Sequence, residues 1–229
     1  MAAALVQHNE GTGSGASSYS ISLVSNATAG NCLVMGNSEF NPTTTGTVSG
    51  GGETWSQRVA PNFGSQDTFI DRALNISAGA KTITFTPTSG TPDWGGCLCE
   101  FSGVATSSAD DGSNSASGAT QTTADPGAAT TTATDLIFAF CGYGGGTITE
   151  NAGGEGYTLI AEHEDGSGAE PFSATYKVSV AAGSPKDTWT IPIGVWAAGV
   201  IALKESGGAA ATSFVYSPRM YMFQPLIIR

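Results

Sequence analysis

Thr82-Ile83-Thr84-Phe85-Thr86, preceded by Ala78-Gly79-Ala80-Lys81 and stopped by Pro87, alternates a small β-branched hydroxyl residue with a large apolar one. A period of two marks a strand with one face buried, and threonine is a strong strand former. The device returns downstream, where Ala182-Gly183 leads to Thr188-Trp189-Thr190-Ile191-Pro192. Around these two stretches the same order of features recurs. Leu33-Val34-Met35, Gly51-Gly52-Glu53-Thr54-Trp55, Asp93-Trp94 and Cys97-Leu98-Cys99-Glu100-Phe101 are matched by Leu136-Ile137-Phe138, Gly153-Gly154-Glu155-Gly156-Tyr157, Val195-Trp196 and Val200-Ile201-Ala202-Leu203. The offset stays at about 102 to 105 residues, which reads as an internal duplication.

Each half reads as about five strands separated by turn chemistry such as Asn41-Pro42, Ser89-Gly90-Thr91-Pro92 and Asp165-Gly166-Ser167-Gly168. Nothing longer than a turn reads as helical. The expected fold is all-β: a jelly-roll-like β-sandwich spanning 1–206, built from two similar halves at about 20–104 and 130–206, with an extended C-terminal arm. Two separate small sandwiches and one interleaved sandwich both satisfy the pattern. The Ser, Thr, Ala and Gly of 105–134, with no Pro-rich or charged linker, favour a single body. Asp110 to Asn114 in that stretch would also suit a loop. Trp94 and Trp196, at matching places before the last strand of each half, are expected in the core.

Only 12% of the 229 residues are charged, 32 are Gly, and the net charge is −11. That balance argues against nucleic acid as a partner, because affinity for phosphates needs clustered Lys and Arg. No window approaches the roughly 18 apolar residues of a membrane span, so no membrane partner is expected. The start, MAAALVQHNE, lacks a basic region and a long apolar run, and export through a signal peptide is not expected. The sequons at Asn26-Ala27-Thr28 and Asn75-Ile76-Ser77 are then chance matches. Cys32, Cys97, Cys99 and Cys141 lack metal-type spacing and read as free buried thiols.

The inventory for chemistry is thin. With His8 and His163 alone, acid/base catalysis would need one of them or a carboxylate pair. Glu162-His163-Glu164-Asp165 could hold a divalent cation, yet it lacks calcium-loop spacing and reads as a solvated strand end. His8 reads as a surface residue. No nucleophile elbow, phosphate loop or zinc motif is present, and Gly142-Tyr143-Gly144-Gly145-Gly146 reads as a hairpin loop. Adjacent Asp110 and Asp111 do not make a glycosidase pair. The expectation is no catalytic site, no metal and no cofactor. A glycan site built on Trp55, Trp94, Trp189, Trp196, Tyr143 or Tyr157 stays open as an alternative.

The last seventeen residues, SFVYSPRMYMFQPLIIR (213–229), differ from everything before them: ten are apolar and two are Arg. All nineteen Asp and Glu lie at or before Glu205 with the other six Lys and Arg. Phe214, Val215, Tyr216, Met220, Tyr221, Met222, Phe223, Leu226, Ile227 and Ile228 are the candidate partner-binding residues. Burying ten such side chains would contribute on the order of 15–30 kcal/mol, and ordering seventeen residues costs a comparable amount, at about 1–2 kcal/mol each. The arm therefore needs a preformed groove or a sheet edge. Pro218 and Pro225 exclude a helix, and Gly207-Gly208-Ala209-Ala210-Ala211 reads as a flexible lead.

The AGN-LV strand (Ala29 to Val34), the GG-x-TW strand (Gly51 to Trp55), the AG-x-x-T-x-T-x-T strand (Ala78 to Thr86) and the EFSGV strand end (Glu100 to Val104) resemble Gly/Thr-rich β-sandwich proteins of tailed bacteriophages and of bacterial surfaces. The resemblance covers roughly residues 20–206, and its motifs are structural. It implies a virion component made in the host cytoplasm, of the capsid decoration or tail and fibre type. The implied partners are the major capsid protein or another virion protein, and sibling copies in a homo-oligomer.

Overall fold

The structure is a computed structural model that describes residues 1–40, 45–145, 147–150, 156–164 and 170–207. Every regular element among them is a β-strand. The first half contributes β1 (Ala4–Gly13), β2 (Tyr19–Ser22), β3 (Cys32–Phe40), β4 (Gly46–Gly50), β5 (Ser56–Val59), β6 (Asn62–Phe63), β7 (Gln66–Ala73), β8 (Thr82–Pro87) and β9 (Asp93–Ser102). The second contributes β10 (Asp110–Gly118), β11 (Thr123–Ala124), β12 (Asp135–Tyr143), β13 (Thr149–Glu150), β14 (Thr158–His163), β15 (Phe172–Val180), β16 (Trp189–Thr190) and β17 (Trp196–Lys204).

Hydrogen bonding orders the main sheet of the first half β1-β9-β3-β7-β5, with β6 paired to β7, and a small sheet β2-β8-β4. The second half repeats both orders, as β10-β17-β12-β15-β14 and β11-β16-β13. Irregularities repeat as well. A bulge between Leu5 and Gln7 on edge strand β1 returns between Asp110 and Gly112 on β10, and one between Gln57 and Val59 on β5 returns between Leu159 and Ala161 on β14. Bulges at sheet edges twist the strand and blunt its exposed backbone.

Three cores separate four layers. Tyr19, Ile21, Ile83 and Phe85 of the small sheet pack on Leu33, Met35, Phe69, Trp94 and Leu98 of the first main sheet. Its other face sends Val34, Ile70, Cys97, Cys99 and Phe101 against Phe138, Phe140, Phe172, Ala174, Ile201 and Leu203 of the second main sheet. Behind that sheet, Ile137, Ala139, Cys141 and Val200 meet Ala124 and Trp189. The chain is thus an all-β sandwich with covered main sheets. Both faces of β3 and β12 are buried, which is why Leu33-Val34-Met35 and Leu136-Ile137-Phe138 read as unbroken apolar runs rather than alternating ones.

Across the central core β7 lies against β17, β3 against β12, and β9 against β15. Exchanging the halves reproduces that pattern. Glycines bring the sheets close: a Cβ on Gly36 would stand 2.8 Å from Cγ of Phe140, and one on Gly199 would stand 2.5 Å from Cγ2 of Val59. Thr68 Oγ1 donates to the Ala197 carbonyl at 2.9 Å, Ser38 Oγ to Glu170 at 3.2 Å and Ser117 Oγ to the Asn62 carbonyl at 2.8 Å.

Several expectations need correction. Among the described residues the halves have nine and eight strands rather than about five each, because strands of two to five residues leave no readable period. The Ser/Thr/Gly stretch 105–134 is not a connector: 110–118 and 123–124 are β10 and β11, the counterparts of β1 and β2. The repeated units therefore begin at Ala4 and Asp110, ahead of 20 and 130. Gly142 and Tyr143 belong to β12 rather than to a hairpin loop. The four cysteines are free and buried, and burial pushes the Cys32 thiol up to about 12.

Candidate functional site

The ten arm residues Phe214 to Ile228 lie outside the described residues. What is described is where the chain leaves the body. Val104 bridges Glu205, the Ser206 N–H donates to the Gly103 carbonyl at 2.6 Å, and the Met1 ammonium donates to the Ser206 carbonyl. Residue 207 therefore sits beside the start of β1, a ten-residue strand that pairs with β9 on one side only among the described residues.

Of the six aromatic candidates, five are interior. Trp94, Trp189, Trp196, Tyr143 and Tyr157 are buried, because each points between two sheets. Trp94 stacks on Tyr19 with ring centroids 4.0 Å apart. Gly13 and Gly118 on the neighbouring edge strands make room for Trp94 and Trp196, since a Cβ would stand 2.7 and 3.1 Å from the respective Nε1 atoms. Trp55 alone is half-buried. His8 is exposed on β1, Glu162 and His163 are half-buried at the end of β14, and Asp165 lies outside the described residues. No group of three metal-type ligands occurs among the described residues.

Trp55 is held by its approach loop. Gly50, Gly51 and Gly52 all have positive φ, at 103°, 66° and 75°, a conformation that side chains resist. A Cβ on Gly50 would also lie 2.6 Å from the Thr82 carbonyl oxygen. The loop is pinned from below by Lys81, buried beside Glu53 at 2.5 Å and donating to the Gly51 carbonyl at 2.8 Å. Burial raises the Glu53 carboxyl, but hydrogen bonds from Lys81 and Ser77 outweigh it and hold the group low. The Trp55 Nε1–H donates to the Gly50 carbonyl at 3.3 Å.

Next to Trp55, β4 and β5 are the edges of their respective sheets and diverge. The gap is a cavity of about 200 Å³ lined by Gly46, Thr47, Val48, Trp55, Gln57 and Asp71. Asp71 is 3% exposed, and its Oδ2 has no hydrogen-bond partner among the described residues. Burial pushes its carboxyl up to about 7, opposed by a hydrogen bond from Gln57.

Asp71 continues a polar row on the inner face of the first half. Glu39 stands directly across from Asp67 on neighbouring strands, Tyr19 donates to Glu39 at 3.2 Å, and Asn37 donates to the Tyr19 hydroxyl at 2.8 Å. Burial raises Glu39 to about 8; the Tyr19 hydrogen bond opposes this and the Asp67 charge adds to it. Sequence reasoning passed over Glu39, Gln57 and Asp71. The available signal was the acid inside Phe69-Ile70-Asp71-Arg72-Ala73, where Asp71 shares a face with Phe69 and Ala73.

A second charged group closes the seam between the halves. Asp110 receives Arg72 at 3.1 and 2.5 Å and Arg58 at 3.1 Å. Burial lifts the Asp110 carboxyl, and the Arg72 hydrogen bonds with the Arg72, Arg58 and Lys204 charges more than reverse it. Asp111 accepts from Thr132 and the Ala133 N–H, which bring it down to about 2 against its burial. Asp135, fully buried beside Asp111, is raised to about 7 by burial first and that neighbouring charge second. Asp110 thus clamps the seam to Arg58 and Arg72 of the first half, while Asp111 holds Thr132 and Ala133 within the second. No protein-family model, curated protein or solved structure matches the chain.

Proposed function

We propose that this protein is a structural component of a phage-type virion, a decoration or cement protein. Its acidic, jelly-roll-like body is held to a capsid protein, another virion protein or a sibling copy through Phe214 to Ile228. The observation that carries this reading is the exit of the chain at residue 207 beside β1, whose outer edge is unpaired among the described residues. An apolar segment leaving there can add backbone hydrogen bonds to a sheet edge, on its own body or on a neighbour's. The composition agrees, since the segment carries only Arg219 and Arg229 as charged side chains against the nineteen acids of the body. The role is adhesive: buried area added across subunit joints resists rupture of the shell.

The test is cosedimentation of the full-length chain and of residues 1–207 with purified virions of the source phage. Binding by the full-length chain alone supports the reading. Equal binding by both moves the interface onto the sandwich, and binding by neither removes the virion role.

A further inference from the structure

We propose that the cavity between β4 and β5 binds a single neutral sugar ring, with Trp55 as its stacking wall and Gln57 and Asp71 as hydrogen-bonding groups to its hydroxyls. This site stands independently of the arm and of the virion reading.

The repeated topology supplies an internal control. Gln57 pairs with Asp71 across β5 and β7, and the counterpart pair across β14 and β15 is Leu159 with Thr175. Trp55, two residues before Gln57, corresponds to Tyr157, two residues before Leu159. In the second half Thr175 Oγ1 donates to Asp187 at 2.5 Å, Tyr157 is buried, and Leu159 replaces the amide. The same fold is therefore completed without the polar set. In the first half the equivalent place keeps a buried carboxyl whose Oδ2 meets no donor among the described residues, beside an open cavity. A buried polar atom left in that state is costly, and here the fold does not require it.

The ligand class follows from the lining. Among the described residues Asp71 is the only charged one in the lining, too few ligands for a divalent cation and the wrong sign for an anion. Its raised pKa lets the carboxyl donate as well as accept near neutral pH. Gln57 does both, and the edges of β4 and β5, unpaired among the described residues, present backbone N–H and C=O groups. Alternating donors and acceptors beside an indole suit a ring with hydroxyls on its rim and C–H groups on its face. The volume lies below the roughly 300–1,000 Å³ of drug-sized sites, so one ring fits and the rest of a glycan would extend outside.

The experiment is a ¹H–¹⁵N titration of the full chain with glucose, galactose, mannose and N-acetylglucosamine, following the Trp55 indole signal identified with Trp55→Phe. The expected result is a saturable shift with at least one sugar in the millimolar range. Trp55→Ala, followed by backbone signals of Thr47 and Gln57, should weaken it at least about tenfold. Asp71→Asn, nearly isosteric, should weaken it while the spectrum stays folded, and Leu159→Ala in the second half should leave it unchanged. No shift with any sugar overturns the proposal. So does a shift retained in both Trp55→Ala and Asp71→Asn, or one that maps outside the cavity.

Discussion

Three of the buried carboxyls favour the folded state in mild acid. Glu39 is raised from 4.5 to about 8, and Asp71 and Asp135 from 3.8 to about 7, each chiefly by burial. The folded chain keeps three protons that the unfolded chain releases above its ordinary carboxyl range. Their stabilisation is full below about pH 4 and is lost as pH rises through 7 to 8. Each retained proton gives a slope of about −1.4 kcal/mol per pH unit, so three give roughly −4 at the steepest. A rigid site would cost about 4 kcal/mol at Asp71 alone. Water entry and small rearrangements around an ionised carboxyl bring this to about 1–2 kcal/mol per group, or roughly 3–6 kcal/mol between pH 5 and pH 8. Glu53, Asp110 and Asp111 have the opposite sign: their carboxyls are lowered, and their contribution is already complete above about pH 5. Urea denaturation midpoints across this range, above the pI of about 4.3, measure the effect. Glu39→Gln should flatten the profile by about 1–2 kcal/mol, because an amide has no proton to lose. A wild-type stability that is level or rises from pH 5 to pH 8 would refute the reasoning.

Three other outcomes test the packing. Gly36→Ala forces a Cβ into the Phe140 ring where the main sheets meet, and the melting temperature should fall by an amount equivalent to about 1–3 kcal/mol. Phe140→Ala, which removes a fully buried ring stacked on Phe172 at 5.3 Å, should cost about 3–5 kcal/mol in chemical denaturation. Thiol titration should find Cys32, Cys97, Cys99 and Cys141 unreactive in the native state and all four reactive in denaturant, since each is buried.

The strands with one solvated face announced themselves: Thr82 to Thr86 alternates because its threonines are outside and Ile83 and Phe85 inside. The duplication was legible through the shared spacing of Trp94 and Trp196 from their neighbours. What stayed hidden was either short or doubly covered. β11, β13 and β16 have two residues each, too few for a period, and β10 reads as Asp-Asp-Gly-Ser-Asn because an edge strand half in water needs little apolar surface. Trp55 was legible as a candidate. Asp71 left only a faint mark, an acid on the face of Phe69 and Ala73, because the sheet that buries it is remote in sequence.

The face-to-face arrangement of the two main sheets has the form of a symmetric dimer whose subunits share one chain. A true homodimer must accept every substitution at two equivalent places, so a strained or unsatisfied residue costs twice. Joined copies escape that constraint. One can be tuned for stability, as where Thr175 answers Asp187, while the other is free to keep the half-buried indole of Trp55 beside the carboxyl of Asp71.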